Sequence, residues 1–156
     1  MGVKDVTYPV RLRMKDGGEQ TTVAKINMYV SFPHTKKGTH MSRFLDVLNE
    51  ETSEPVTPER IPAITRAIRE RLEAEHAHFE CEFTYFIKKL APVTKRAGLM
   101  DYRVRFECTS NATDDFVMGV MAPATSLCPC SKEISEYGAH NQRCHIEAKV
   151  RFKGML

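Results

Sequence analysis

Side chains alternate apolar and polar along most of this chain, and a period of two leaves room for little except half-buried β-strands. Val10, Leu12 and Met14 alternate with Arg11 and Arg13. After the turn signal Lys15-Asp16-Gly17-Gly18, Ala24, Ile26, Met28, Val30 and Phe32 alternate with Lys25, Asn27, Tyr29 and Ser31. Two such runs across a glycine-rich turn read as an antiparallel hairpin. The same pattern returns at Phe79, Cys81, Phe83, Tyr85 and Ile87, and again at Tyr102, Val104, Phe106 and Cys108.

Between the two strand pairs the period changes. Phe44, Leu45, Val47 and Leu48 indicate a short helix. Thr57-Pro58-Glu59 reads as a helix start, with Thr57 as N-cap, Pro58 in the first turn and an acid near the positive dipole end. Ile61, Ile64, Ile68 and Leu72 follow at spacings of three and four, with Arg66, Arg69, Glu70 and Arg71 on the other face. Residues 8 to 108 therefore run strand, strand, helix, helix, strand, strand. That order predicts an α+β fold, with helices on one face of an antiparallel sheet. Ser110 to Asp115 is a turn-rich break, after which Phe116–Met121 and His145–Lys153 read as a further strand pair. A hairpin alone is marginal in water, so this last pair needs the first sheet, another chain or further residues to cover it.

Composition excludes little beyond the extremes. The 156 residues are 42% hydrophobic and 28% charged, with a formal net charge of +3. That balance is ordinary for a globular domain, does not indicate nucleic acid and is compatible with an anionic substrate. No apolar run is long enough to span a bilayer, and Met1–Tyr8 is no signal peptide. The five cysteines, an odd number, then read as reduced thiols in a cytoplasmic protein. Cys81 and Cys108 sit on the apolar side of strands, as small core residues do.

Chemistry concentrates in Ser126-Leu127-Cys128-Pro129-Cys130-Ser131-Lys132-Glu133-Ile134-Ser135 and on through Glu136-Tyr137-Gly138-Ala139-His140-Asn141-Gln142-Arg143. A thiolate and an imidazole suit zinc and similar metals, and the spacing from Cys128 to His140 is long enough for a loop to bring them together. Two protein ligands cannot close a structural site; an open site needs a third and leaves room for water. Spacing alone leaves other readings standing: a buried structural cysteine beside an incidental histidine, a redox pair, or a nucleophilic cysteine with a histidine base. A second cluster, Lys36-Lys37-Gly38-Thr39-His40-Met41-Ser42-Arg43, leads into the first helix. It suits an anion such as phosphate, or is simply a capped helix behind a solvated basic loop. Lys88-Lys89 and Lys95-Arg96 read as solvated loop charge, and His145 as a solvated residue on the polar face of its strand.

The run Thr125–Ile134 followed by Tyr137–Arg143 resembles the signature of the type IB GTP cyclohydrolase I family, and Lys37–Phe44 resembles that family's other characteristic block. Lys88, Lys89, Ala91, Pro92 and Val93 fit it as well, and the resemblance runs from Val3 onward. It implies a tunnelling fold (T-fold) built of tandem modules, each with two strands, two helices and two strands. Residues 1–112 would be the first module, and 113–156 the first hairpin and metal-binding loop of a second, incomplete one. Such chains assemble, typically as homotetramers, with active sites between subunits.

The implied reaction converts GTP and water to 7,8-dihydroneopterin triphosphate and formate, the entry to tetrahydrofolate synthesis, through a metal-activated water attacking guanine C8. By motif, Cys128 and His140 would be ligands of a divalent metal (zinc, manganese or iron), with Cys128 thereby catalytic. His40, Ser42 and Arg43 would meet substrate or a neighbouring subunit. No nucleic-acid or membrane partner is implied. In the family a further carboxylate ligand and the Glu that anchors the pterin ring come later in the second module than this sequence reaches, so the 156-residue chain alone is expected to lack cyclohydrolase activity. Alternatives are an archaeal-type iron-dependent cyclohydrolase yielding a cyclic phosphate, a non-catalytic metal-binding or assembly module, and a tunnelling-fold enzyme using Cys128 as a nucleophile.

Overall fold

The alternating segments all become strands of one sheet. The computed structural model describes residues 1–34, 38–134, 136 and 141–152. Strands β1 (Gly2–Arg13) and β2 (Glu19–Ser31) are followed by helices α1 (Ser42–Glu51) and α2 (Ile61–Arg71), then by β3 (His76–Leu90), β4 (Ala97–Ser110) and β5 (Asp114–Leu127), a short helix α3 (Pro129–Ile134) and β6 (Asn141–Phe152). The six strands are hydrogen-bonded in sequence order, every neighbour antiparallel. The class is α+β, as the element order implies.

Register explains the core. Ala24 lies opposite Phe83, Ile26 opposite Cys81, and Met28 opposite Phe79; Cys81 in turn faces Phe106. Directly paired residues share a face, so one side of the sheet becomes a continuous apolar surface. Helix α1 covers it with Phe44, Val47 and Leu48, and α2 with Ile61, Ile64 and Ile68, all buried. Each such aliphatic side chain contributes about 1.5–3 kcal/mol on burial. Thr65 sits wholly buried in the same stripe, where its hydroxyl donates to the Ile61 carbonyl at 2.8 Å.

Two local expectations shift. Thr57 is extended (φ −129°, ψ 157°), but its hydroxyl caps nothing. The segment Pro58–Arg60 winds instead as a 3-10 turn, in which the Arg60 N–H donates to the Thr57 carbonyl at 3.1 Å, and the α-helix proper starts at Ile61. Helix α3 occupies a stretch whose periodicity gave no helix signal. The turn before β2 behaves as read: Gly17 takes φ 85°, the left-handed region where a side chain is strained.

The last strand pair finds its partner in the first sheet. Strand β5 pairs with β4 from Ser110↔Asp114 to Arg103↔Met121. Phe116 is buried, meets the Phe106 ring edge-on at 5.7 Å and stacks on Phe152 at 5.4 Å. On the α2 side, Arg66 donates to Asp114 at 2.5 Å. The core stops there: along β6, residues 142–151 are exposed on both faces.

Candidate functional site

The three hairpin connections, β1–β2, β3–β4 and β5–α3–β6, emerge at one end of the sheet, and the helical connection and the β4–β5 turn at the other. Cys128 is the residue between the end of β5 and the start of α3, so it stands at the hairpin end, half-buried. Cys130 is exposed within α3. Its expected companion His140 lies outside the described residues. Among the described residues, which include all five cysteines, there is no disulfide.

The thiols divide by environment. Burial pushes Cys81 up to about 12. It pushes Cys108 up to about 11, against a hydrogen bond with Thr65 that pulls the other way. Both keep their protons near neutral pH and serve the core, as their alternation implied. A metal-ligating thiol must shed its proton, and Cys128, at the partly open end of a strand, fits that role in type and placement. Among the described residues no group of three or more His, Cys, Asp or Glu side chains is placed to hold a metal. The described part of the site thus offers two thiols, Cys128 and Cys130.

The second motif sits elsewhere. Gly38, at φ 106°, packs against the side chain of Met1, whose amino group donates to the Val30 carbonyl at 2.9 Å. That places His40, Ser42 and Arg43, at the start of α1, near the end of β2 and the beginning of β1. His40 and Arg43 are exposed, and the Arg43 N–H donates to the His40 carbonyl at 3.2 Å. No side-chain cap closes α1. Cys128 stands beyond the opposite end of strands 12–15 residues long, roughly 40–50 Å away at ~3.3 Å per residue. Within one chain the structure does not bring the two clusters together.

Two features were hidden from the sequence. Above Arg103↔Met121 the β3–β4 and β5–β6 ribbons part, although each keeps its own ladder. Pro123, two residues beyond the last rung, has no N–H to offer. The cleft left between them, about 390 Å³, is lined by Met100 on one side and by Pro123–Thr125, Arg143, Cys144 and His145 on the other. Strand-by-strand reading could not show that these ribbons separate.

The helix-free face carries the second feature, a polar network around Glu80. Asn27 donates to Glu80 at 2.7 Å, His78 lies 3.0 Å from it and Arg105 3.4 Å. His78 also meets the Thr109 hydroxyl at 2.9 Å. Partial burial pushes the Glu80 carboxyl up, but these partners outweigh it and hold it below its ordinary value. Its signal in the sequence was the opposite charge of alternating residues on neighbouring strands, which becomes meaningful only once register is known.

A single antiparallel sheet with two helices on one face and a cysteine-bearing connection at the open end of its last hairpin is a tunnelling-fold-like α+β arrangement. The family model described as type I GTP cyclohydrolase folE2 matches residues 1–155. The GTP cyclohydrolase FolE2 of Geobacter sulfurreducens is 49% identical over 156 residues, covering all of this chain and 60% of that protein. That of Syntrophobacter fumaroxidans is 51% identical over 155 residues, 98% of this chain and 60% of its own length. The Nitrosococcus oceani protein is 48% identical over 158 aligned positions, 100% of this chain and 58% of its own. The chain belongs to the type I GTP cyclohydrolase FolE2 family, and it spans about 60% of the length of these curated relatives.

Proposed function

We propose that the intact protein carrying this chain is a GTP cyclohydrolase, converting GTP and water to 7,8-dihydroneopterin triphosphate and formate at the entry to tetrahydrofolate synthesis. The observation that carries this reading is the family match over residues 1–155, the Cys128 segment included. In this reading residues 1–112 form one T-fold module and 113–156 begin a second, whose first hairpin extends the first module's sheet. The protein works in the cytoplasm.

Cys128 and His140 hold a divalent metal, zinc, manganese or iron, which when bound supplies Lewis acidity for the attack of water on guanine C8. Cys128 contributes a thiolate at the edge of the protein rather than in its core, where solvent and substrate reach it. His40, Ser42 and Arg43 bind substrate. Their distance from Cys128 within one chain supports a site shared between neighbouring subunits of a homotetramer, with Cys128 from one copy and the α1 start from another.

The test is product analysis on the metal-loaded intact protein. Formate and 7,8-dihydroneopterin triphosphate in equal amounts support the reading. A cyclic phosphate product would move the assignment to the archaeal-type reaction, and absence of formate at any metal loading would remove the enzyme reading.

A further inference from the structure

The network on the helix-free face holds one imidazole in a defined state. Alternation along β3 puts His76, His78 and Glu80 on that face, with Ala77 and Phe79 in the core. His78 is gripped on three sides. Glu80 Oε1 lies 3.0 Å from its Nε2, Thr109 Oγ1 lies 2.9 Å from its Nδ1, and the Tyr29 ring stacks on it at 6.1 Å. The Glu80 carboxyl is held below its ordinary value, so near neutral pH it is ionised and only accepts. Nε2 therefore carries a proton. In the neutral ring Nδ1 then holds a lone pair, and the Thr109 hydroxyl donates to it.

A carboxylate behind one ring nitrogen, with a lone pair on the other, is the arrangement that orients a histidine toward a metal ion. A second imidazole stands beside it. His76 is two residues back on the same face, so the two Cα atoms are about 6–7 Å apart, a span that two imidazoles close over one ion. Both rings border a cavity of about 220 Å³, with Tyr29, Ser31 and Thr109 also in its wall. His76 is exposed, which leaves the mouth open to solvent. Local charge favours a cation, because Glu80 and Glu107 flank the single guanidinium of Arg105 at 3.4 and 2.6 Å. The pair is remote from Cys128. Ala77 pairs with Ser110 and Ser110 with Asp114, level with the start of β5, whereas Cys128 follows the end of that strand.

We infer that His76 and His78 form a divalent-metal site separate from Cys128, for a first-row transition ion such as zinc or nickel, with Glu80 as the positioning residue behind His78. The ion takes the Nδ1 lone pair of His78 in place of the Thr109 hydroxyl proton, and His76 supplies the second nitrogen. Imidazole suits these metals. Two protein ligands leave the remaining positions to water, so the site is open and exchangeable. That agrees with the lack of any group of three or more donor side chains among the described residues. Nothing in the chemistry of the pair depends on GTP or on Cys128.

The experiment is calorimetric titration of zinc into the intact protein, once with the Cys128 site already loaded and once in the Cys128→Ser variant. One further zinc per chain is expected in both. His76→Gln and His78→Gln are each expected to weaken that event about 10-fold or more. Glu80→Gln, which removes the charge behind His78 but no ligand, is expected to weaken it about 10–100-fold. His145→Gln is expected to leave it unchanged. Anomalous diffraction at the zinc edge is expected to place the ion between the two imidazoles. Thermal melts identify any variant that fails to fold, and His76→Gln, at an exposed position, then carries the test. Affinity within two-fold of the parent in His76→Gln, an equal loss in His145→Gln, or zinc located away from both rings would overturn the site. So would the absence of any uptake beyond the metal at Cys128. Unchanged affinity in Glu80→Gln would overturn its positioning role. A His76-dependent zinc event in a protein that turns over no GTP supports the site and counts only against the cyclohydrolase reading.

Discussion

At the residue scale the cysteines separate cleanly, and each group makes a prediction. Cys81 and Cys108 are buried, with thiols pushed up to about 12 and about 11. In the unfolded chain both titrate near the ordinary value of ~8.5. Their contribution to stability is therefore intact below about pH 8.5 and drains away as pH rises toward those folded-state values. Alkaline denaturation followed by circular dichroism should show the loss, and Cys81→Ala should reduce its steepness. Alkylation at pH 8 should modify exposed Cys130 and Cys144 while sparing Cys81 and Cys108; rapid labelling of Cys81 in the folded protein would contradict the packing. Cys128→Ser should lower metal affinity by on the order of 100-fold or more, since even residues behind a ligand are worth 10–100-fold. Metal retention through dialysis reads this directly. The sequence singled out Cys128 as a candidate by its motif, and Cys81 and Cys108 as core residues by their alternation. It could not show that His40, Ser42 and Arg43 lie at the far end of the sheet from Cys128, because that depends on where Gly38 docks, against Met1.

At the scale of elements, the β5–β6 hairpin is the informative piece. It is joined to the first sheet by the β4 ladder, by Phe116 between Phe106 and Phe152, and by the Arg66–Asp114 pair. Phe116→Ala should cost about 3–5 kcal/mol, seen as a lower urea midpoint with increased protease cleavage in β6. Burial pushes the Asp114 carboxyl up, but hydrogen bonds from Arg66 and Ser110 outweigh it and hold it below its ordinary value. Its contribution is present above about pH 4 and is lost as pH falls through the lowered folded value. Asp114→Asn should accordingly cost roughly 1 kcal/mol at neutral pH, allowing for partial solvent screening, and progressively less as pH falls below about 4. Alternation made these strands legible, since a period of two survives without knowledge of partners. Thr57 misled because the chemistry of a cap does not fix which helical winding follows Pro58. Helix α3 carried no period because six residues are too few to show one.

At the scale of the whole molecule, the sheet separates tasks by its two ends and two faces. One face packs under α1 and α2; the other carries the Glu80 network. One end holds the α1 start, and the other Cys128. Among the described residues no helix is long and apolar enough to cross a membrane. The proposed sharing of a site between opposite ends of neighbouring chains would make activity depend on association. Specific activity should therefore fall on dilution below the assembly threshold, in step with the loss of tetramer seen by light scattering. The most direct test of the central claim is GTP turnover by the intact, metal-loaded protein and by its Cys128→Ser variant, with formate and the pterin product measured together. The account predicts equimolar formate and 7,8-dihydroneopterin triphosphate from the parent, and loss of both with loss of metal in Cys128→Ser. Turnover that survives Cys128→Ser, or a parent that binds metal yet releases no formate from GTP, would contradict it.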